Sequence, residues 1–165
     1  MARTSLKPLG KAITPNFKGK VKAIEILPPN NGGGGTWADL WNSNYGDGSL
    51  LASQVSQVAL LGGNYVKIGM FPSSEVEGSH TFPPEATYRP RRQKFFAQCR
   101  SLNLGVICNI GNEPANLFGA ADTLGATQIP AMATLAATIE QDAKDLIGYL
   151  DICDEINDGG VTGWL

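Results

Sequence analysis

Glu155 stands in the run Cys153-Asp154-Glu155-Ile156-Asn157-Asp158, one carboxyl directly following another. Like charge and partial burial both raise a carboxyl pKa, and a raised value suits a general acid near neutral pH. The same run also suits an acidic, solvated turn before Gly159-Gly160. A further carboxyl, Glu113, lies in Asn112-Glu113-Pro114. Trp37, Trp41 and Tyr45 bring flat rings into one stretch of chain, where they serve either to stack on sugar faces or to pack a large loop onto the body. His80 is the sole histidine and, with no triad partner evident in the sequence, reads as a surface-loop residue. Arg89, Arg91 and Arg92 read as a solvated cationic face at a helix start. The four glycines Gly32 to Gly35 are followed by no Lys-Ser/Thr and open no helix, so they read as a flexible lip rather than a phosphate cradle. Cys99, Cys108 and Cys153 lack the paired short intervals of a zinc site, and three thiols cannot make a disulfide framework. They read as structural thiols of a reducing compartment. The sequence thus calls for no metal and no cofactor.

These residues need a scaffold, and the chain has the composition for one. Its 165 residues are the size of one domain, and 42% hydrophobic content supports a substantial core. Thirteen cations against fifteen acids, a formal charge of −2, argue against a nucleic-acid or anionic-membrane surface. No apolar run reaches the roughly 18 residues of a membrane span. Residues 1–20 hold five cations and no acid, with two prolines and two glycines, and read as a basic arm ahead of a domain over 21–165. The arm has no apolar stretch of secretory type, which fits a cytoplasmic or virion-associated protein.

Along 21–165 the periodicity alternates. Val21 to Leu27 predicts a strand stopped by Pro28-Pro29, then a long loop over 30–48. Ser49 opens a helix with apolar Leu51, Val55, Val58 and Leu61, ended at Gly62-Gly63. Tyr65 to Phe71 is the second strand, followed by a loop over 72–87. A helix starting near Arg89-Pro90 buries Phe95, Phe96, Cys99 and Leu102 and leads into the strand Val106 to Ile110. After a loop over 111–129, a helix from near Pro130 turns Met132, Leu135, Ala136, Ile139 and Ala143 to one side. Leu146 to Asp154 reads as a fourth strand, although helix could instead persist through Leu150. Four strand–helix alternations imply a parallel α/β sheet with right-handed crossovers. The loops after strands are long, polar and aromatic, and the returns at 62–64 and 103–105 are tight. Working residues therefore belong at the C-terminal ends of the strands.

Two stretches carry a resemblance. Leu146-Ile147-Gly148-Tyr149 through Asp154-Glu155 resembles the fourth strand of retaining glycoside hydrolases of the (β/α)8-barrel superfamily, of cellulase and mannanase type, where a V-I-G-Y strand ends in Asn-Glu. Gly62-Gly63-Asn64-Tyr65-Val66-Lys67-Ile68 is similar to that family's second strand, and Leu102 to Ile107 to its third. The resemblance implies Glu155 as acid/base, with Trp37, Trp41, Tyr45, Lys67, Asn109 and Asp154 lining a glycan site. Asn112-Glu113-Pro114 matches the family's Asn-Glu-Pro literally and makes Glu113 the alternative acid/base, if a further strand lies within 1–20. Otherwise Glu113 is a carboxylate at the rim.

Departures are as specific as the matches. The family's second-strand arginine is Lys67, without the bidentate fork. Its asparagine before the acid/base is Asp154, Asn109 and Gly111 stand where an aspartate and histidine are common, and one residue is inserted between Tyr149 and Asp154. A full barrel takes about 250 residues, so four strands are half of one. Retaining hydrolysis needs two carboxyls roughly 5–5.5 Å apart, and the strand-seven nucleophile has no counterpart here. Two expectations follow. One is a glycoside hydrolase-like half-barrel acting on or binding a glycan. The other is a non-catalytic scaffold or glycan-binding part of a larger assembly, such as a phage virion or tail. Either needs the rest of a barrel, self-association or an assembly partner to cover its sheet edges.

Overall fold

The computed structural model describes residues 20–28, 36–43, 49–73, 76–77, 80–111 and 124–151. Tyr45, Glu113, Asp154 and Glu155 lie outside them, as do residues 1–19 of the basic arm. The elements in chain order are β1 (Ala23–Glu25), α1 (Trp37–Asn42), α2 (Leu50–Leu60), β2 (Tyr65–Gly69), β3 (Val76–Glu77), β4 (His80–Thr81), α3 (Glu85–Ser101), β5 (Gly105–Asn109), α4 (Leu124–Ala143) and β6 (Ile147–Asp151).

β1, β2, β5 and β6 form one sheet in that order, every neighbouring pair parallel. Each connection carries a helix, which is how a parallel pair must be joined. Ile147–Asp151 is a strand, which settles the ambiguity around Leu150: α4 ends at Ala143. Register runs Glu25–Lys67–Ile107–Tyr149 across the sheet, with Gly69 opposite Asn109 and Asn109 opposite Asp151. Between β5 and β6 the ladder slips by one residue. Val106 pairs with Ile147, but Ile107 pairs with Tyr149, so Gly148 is an extra residue on β6.

Strand alternation sorts the sheet into two faces. Ile24, Ile26, Val66, Ile68, Met70, Val106, Cys108 and Ile110 form one core with Leu51, Val55 and Val58 of α2, Phe95, Phe96 and Cys99 of α3, and Leu135, Ile139 and Ala143 of α4. These helical residues are the stripes that periodicity predicts, except that Leu61 is exposed and caps the end of α2 instead. Gly62 follows it at φ +75°, a conformation that glycine adopts without a Cβ clash. The opposite face carries Ala23, Glu25, Tyr65, Lys67, Gly69, Gly105, Ile107, Asn109 and Tyr149. No described helix packs the row through its middle: Glu25 and Tyr149 are exposed, and Lys67 and Ile107 half-buried.

Three predicted boundaries move. The loop 30–48 contains α1, nucleated by a capping box in which Thr36 Oγ1 accepts from Asp39 N–H (3.1 Å) and Asp39 Oδ2 accepts from Thr36 N–H (3.2 Å). The loop 72–87 contains the β3–β4 hairpin and the first turn of α3, which starts at Glu85, so Pro90 lies within the helix and not at its start. α4 begins at Leu124, and Pro130 likewise lies inside it.

The arginine cluster is the clearest correction. Arg92 is fully buried, its guanidinium held by Glu85 (2.6 and 3.1 Å) and stacked 4.2 Å from the Tyr88 ring centroid. Arg89 forks onto Asp142 of α4 (2.9 Å twice), and Arg91 donates to the Trp41 and Asn42 carbonyls (2.6 and 2.9 Å). Planar forks of this kind join helices rather than form a solvated face. Cys99 and Cys108 are free, buried thiols; burial pushes Cys99 up to about 12 and Cys108 higher still, so both stay protonated and inert.

Candidate functional site

The parallel sheet directs the ends of β2, β5 and β6 to one edge, the end at which such folds carry their chemistry. Two tryptophans of α1 grip the end of β2 there. A Cβ added to Gly69 would stand 2.7 Å from the Trp37 ring, so that ring lies over Gly69 on the uncovered face. Trp41 Nε1 donates to the Gly69 carbonyl at 2.7 Å from the other direction. Trp41 is fully buried, with Tyr88 and Phe95 edge-on at 5.2 and 5.8 Å. Of the two roles its sequence allows, Trp41 therefore has the packing one, and no face of its ring is left for a ligand. Trp37 is half-buried and stands on the side of the sheet that no described helix covers.

One step toward the strand starts, Lys67 Nζ meets Glu25 Oε1 at 3.4 Å, both half-exposed. Ile107 and Tyr149 continue that row, and neighbouring strands about 4.8 Å apart make it roughly 14 Å long. Asn109 is buried beside Gly69, its Oδ1 accepting from Gly111 N–H (3.2 Å) to turn the chain at the end of β5. Below the row, a Cβ on Gly148 would fall 2.5 Å from Tyr65 Cε1, so the edge of the Tyr65 ring points at the extra residue of β6. Burial raises the Tyr65 pKa, and neighbouring Tyr149 adds to the effect. The Tyr65 phenol is thus a neutral donor at physiological pH.

The structure thus brings Trp37, Lys67 and Asn109 to one face and end of the sheet and assigns Trp41 to the core; Tyr45, Glu113, Asp154 and Glu155 are not among the described residues. Sequence reasoning missed Glu25 and Tyr149, which share the row with Lys67. Parity of alternation could have found Glu25, since Glu25 and Lys67 hold equivalent places in their strands. It also missed Asp39 as the partner of His80: Asp39 Oδ1 lies 2.7 Å from His80 Nδ1, and Asn42 Nδ2 donates to the Thr81 carbonyl (2.7 Å). The β3–β4 hairpin is thereby tied to the helix that carries both tryptophans. Burial opposes ionisation of Asp39, but hydrogen bonds from Thr36 and the proximity of His80 outweigh it and hold the carboxyl below its ordinary value. Among the described residues no three His, Cys, Asp or Glu side chains converge as a metal site would need.

No protein-family model matches this sequence, and no curated protein matches it either. Among solved structures the fold is similar to the endo-1,4-beta-mannanase from Rhizomucor miehei, at 16% identity and a TM-score of 0.47. The match covers 72% of this chain and 42% of that one, so this chain spans less than half the length of its structural neighbour.

Proposed function

We propose that this chain supplies the first four β/α units of a glycan-acting barrel of glycoside hydrolase type, with Glu155 as its general acid/base. The observation that carries the reading is the sheet face that no described helix covers. Trp37 offers a ring at the end of β2, and Lys67, Glu25 and Tyr149 offer a row of donors and acceptors beside it. An apolar ring beside neutral and paired polar groups suits the C–H faces and hydroxyls of a sugar. β6 ends at Asp151, and in sequence Glu155 follows four residues later, with Asp154 before it to raise its pKa.

The carboxyl is tested by incubating the protein with β-glucans and mannans beside Glu155→Gln and Glu113→Gln. The expected result is loss of at least a hundredfold in rate for Glu155→Gln and little change for Glu113→Gln. Equal rates in wild type and Glu155→Gln remove Glu155 from the mechanism, and the reverse pattern assigns the role to Glu113. The buried Trp41 and the Lys67–Glu25 pair favour a second reading, a non-catalytic glycan-binding scaffold. That reading predicts glycan retention on affinity gels with no reducing ends released.

A further inference from the structure

A cavity of about 260 Å³ lies between the segment after β2, the start of α3 and the middle of α4, and of its lining side chains only Leu135 also belongs to the core described above. We infer that it is a binding site for a small neutral polyhydroxyl compound of the size of one monosaccharide. This inference stands on the cavity alone and is independent of the function proposed above.

The wall chemistry selects the ligand. Pro72, Ala131 and Leu135 give an apolar floor. Ser73 Oγ is buried and has no hydrogen-bond partner among the described residues, and a buried hydroxyl left unpaired is costly. Thr134 spends its proton on the Pro130 carbonyl (2.8 Å) and Thr138 on that of Leu135 (2.8 Å), so both offer the cavity acceptor lone pairs only. Glu85, also in the wall, is an acceptor whose charge is balanced by the buried Arg92, which also reaches Thr138 at 3.3 Å. With that charge matched inside the protein, the wall attracts neither an anion nor a cation. It asks for a neutral molecule that donates several hydrogen bonds, accepts one from Ser73 and lays a C–H surface on Leu135. A sugar or cyclic polyol has that combination. The volume falls just below the ordinary range for drug-sized ligands, about 300–1,000 Å³, which limits the occupant to one ring.

The test is a titration of ¹⁵N-labelled protein with D-mannose, D-glucose and myo-inositol, with inorganic phosphate and cyclohexanol as contrasts. The expected result is saturable shifts of the Ser73, Ala131 and Thr134 amides with at least one of the three polyols. Ser73→Ala should weaken that binding roughly fivefold, the worth of one net hydrogen bond. Ala131→Phe should abolish it by filling the space; if that variant does not fold, Thr134→Val serves instead and should weaken binding. Absence of saturable shifts with all three polyols overturns the inference, as does equal binding of cyclohexanol, binding of phosphate alone, or unchanged polyol affinity in Ser73→Ala. Repeating the titration in Glu155→Gln keeps the outcome separate from the barrel's proposed chemistry, because that substitution should leave the shifts intact.

Discussion

Trp41 and Trp37 lie four residues apart on one short helix and have opposite fates. Trp41 faces the core and closes a hydrogen bond on the Gly69 carbonyl, while Trp37 lies over the place where Gly69 lacks a side chain. Trp41→Phe should therefore cost about 2 kcal/mol in urea unfolding, from one buried hydrogen bond and part of a large ring. Trp37→Ala should cost less stability and instead reduce glycan retention. Among the described glycines, Gly63, Gly69 and Gly148 are places where a methyl would stand under 3.0 Å from a neighbour. Gly148→Ala forces a contact at 2.5 Å on Tyr65 and should destabilise by about 1–3 kcal/mol. The cost should shrink in a Tyr65→Ala background, since the ring is what the methyl meets. Unfolding midpoints of the two single variants and the double variant measure this coupling.

At the scale of elements, the α3–α4 pair is held by charge as well as by packing. Arg89 forks onto Asp142 and Arg100 onto Asp145 (2.6 and 2.8 Å). Hydrogen bonds from those arginines outweigh burial and depress both carboxyl pKa values below 3.8. A depressed folded-state value means that the stabilisation is present above about pH 4 and disappears as pH falls through the folded-state values. Asp142→Asn should accordingly lower the urea midpoint at pH 7 and flatten its decline between pH 5 and pH 2.

The helices and strands that bury apolar stripes were legible in the chain, because Phe95, Phe96 and Cys99 or Leu135 and Ile139 recur at the helical period. Less visible were elements made by polar side chains. α1 depends on the Thr36–Asp39 box, and its Thr-x-x-Asp spacing was there to be read, though overshadowed by the glycines before it. The start of α3 was obscured by Pro90, which draws attention as an opening residue but here sits in the second turn. Arg92 was misread because no local pattern announces that Glu85, seven positions earlier, will cover it. For the candidate site, the edge of the sheet was predictable from loop lengths. The row through Glu25 and Tyr149 was not, because it depends on interstrand register.

Among the described residues, the sheet is covered by helices on one side and open along the Glu25–Tyr149 row on the other. β2 and β5 are central, whereas β1 and β6 each have one described neighbour. Opening should follow that order. Hydrogen exchange should be slowest for the amides of Val66 to Gly69 and Val106 to Asn109, and faster at Ile24 and in β6. Equal protection across all four strands would mean that β1 and β6 are covered as well as the central pair.

The single supernumerary residue in β6 has a consequence for how this strand tolerates change. Past Gly148, the chain's odd positions look toward the open row and its even positions toward the helices. Deleting that glycine would leave Ile147 opposite Val106 and Tyr149 opposite Ile107, giving a regular ladder with the strand's side chains on their present faces. A missing codon there is the one such loss the strand can absorb, whereas a missing codon at Leu150 would bring Asp151 opposite Cys108.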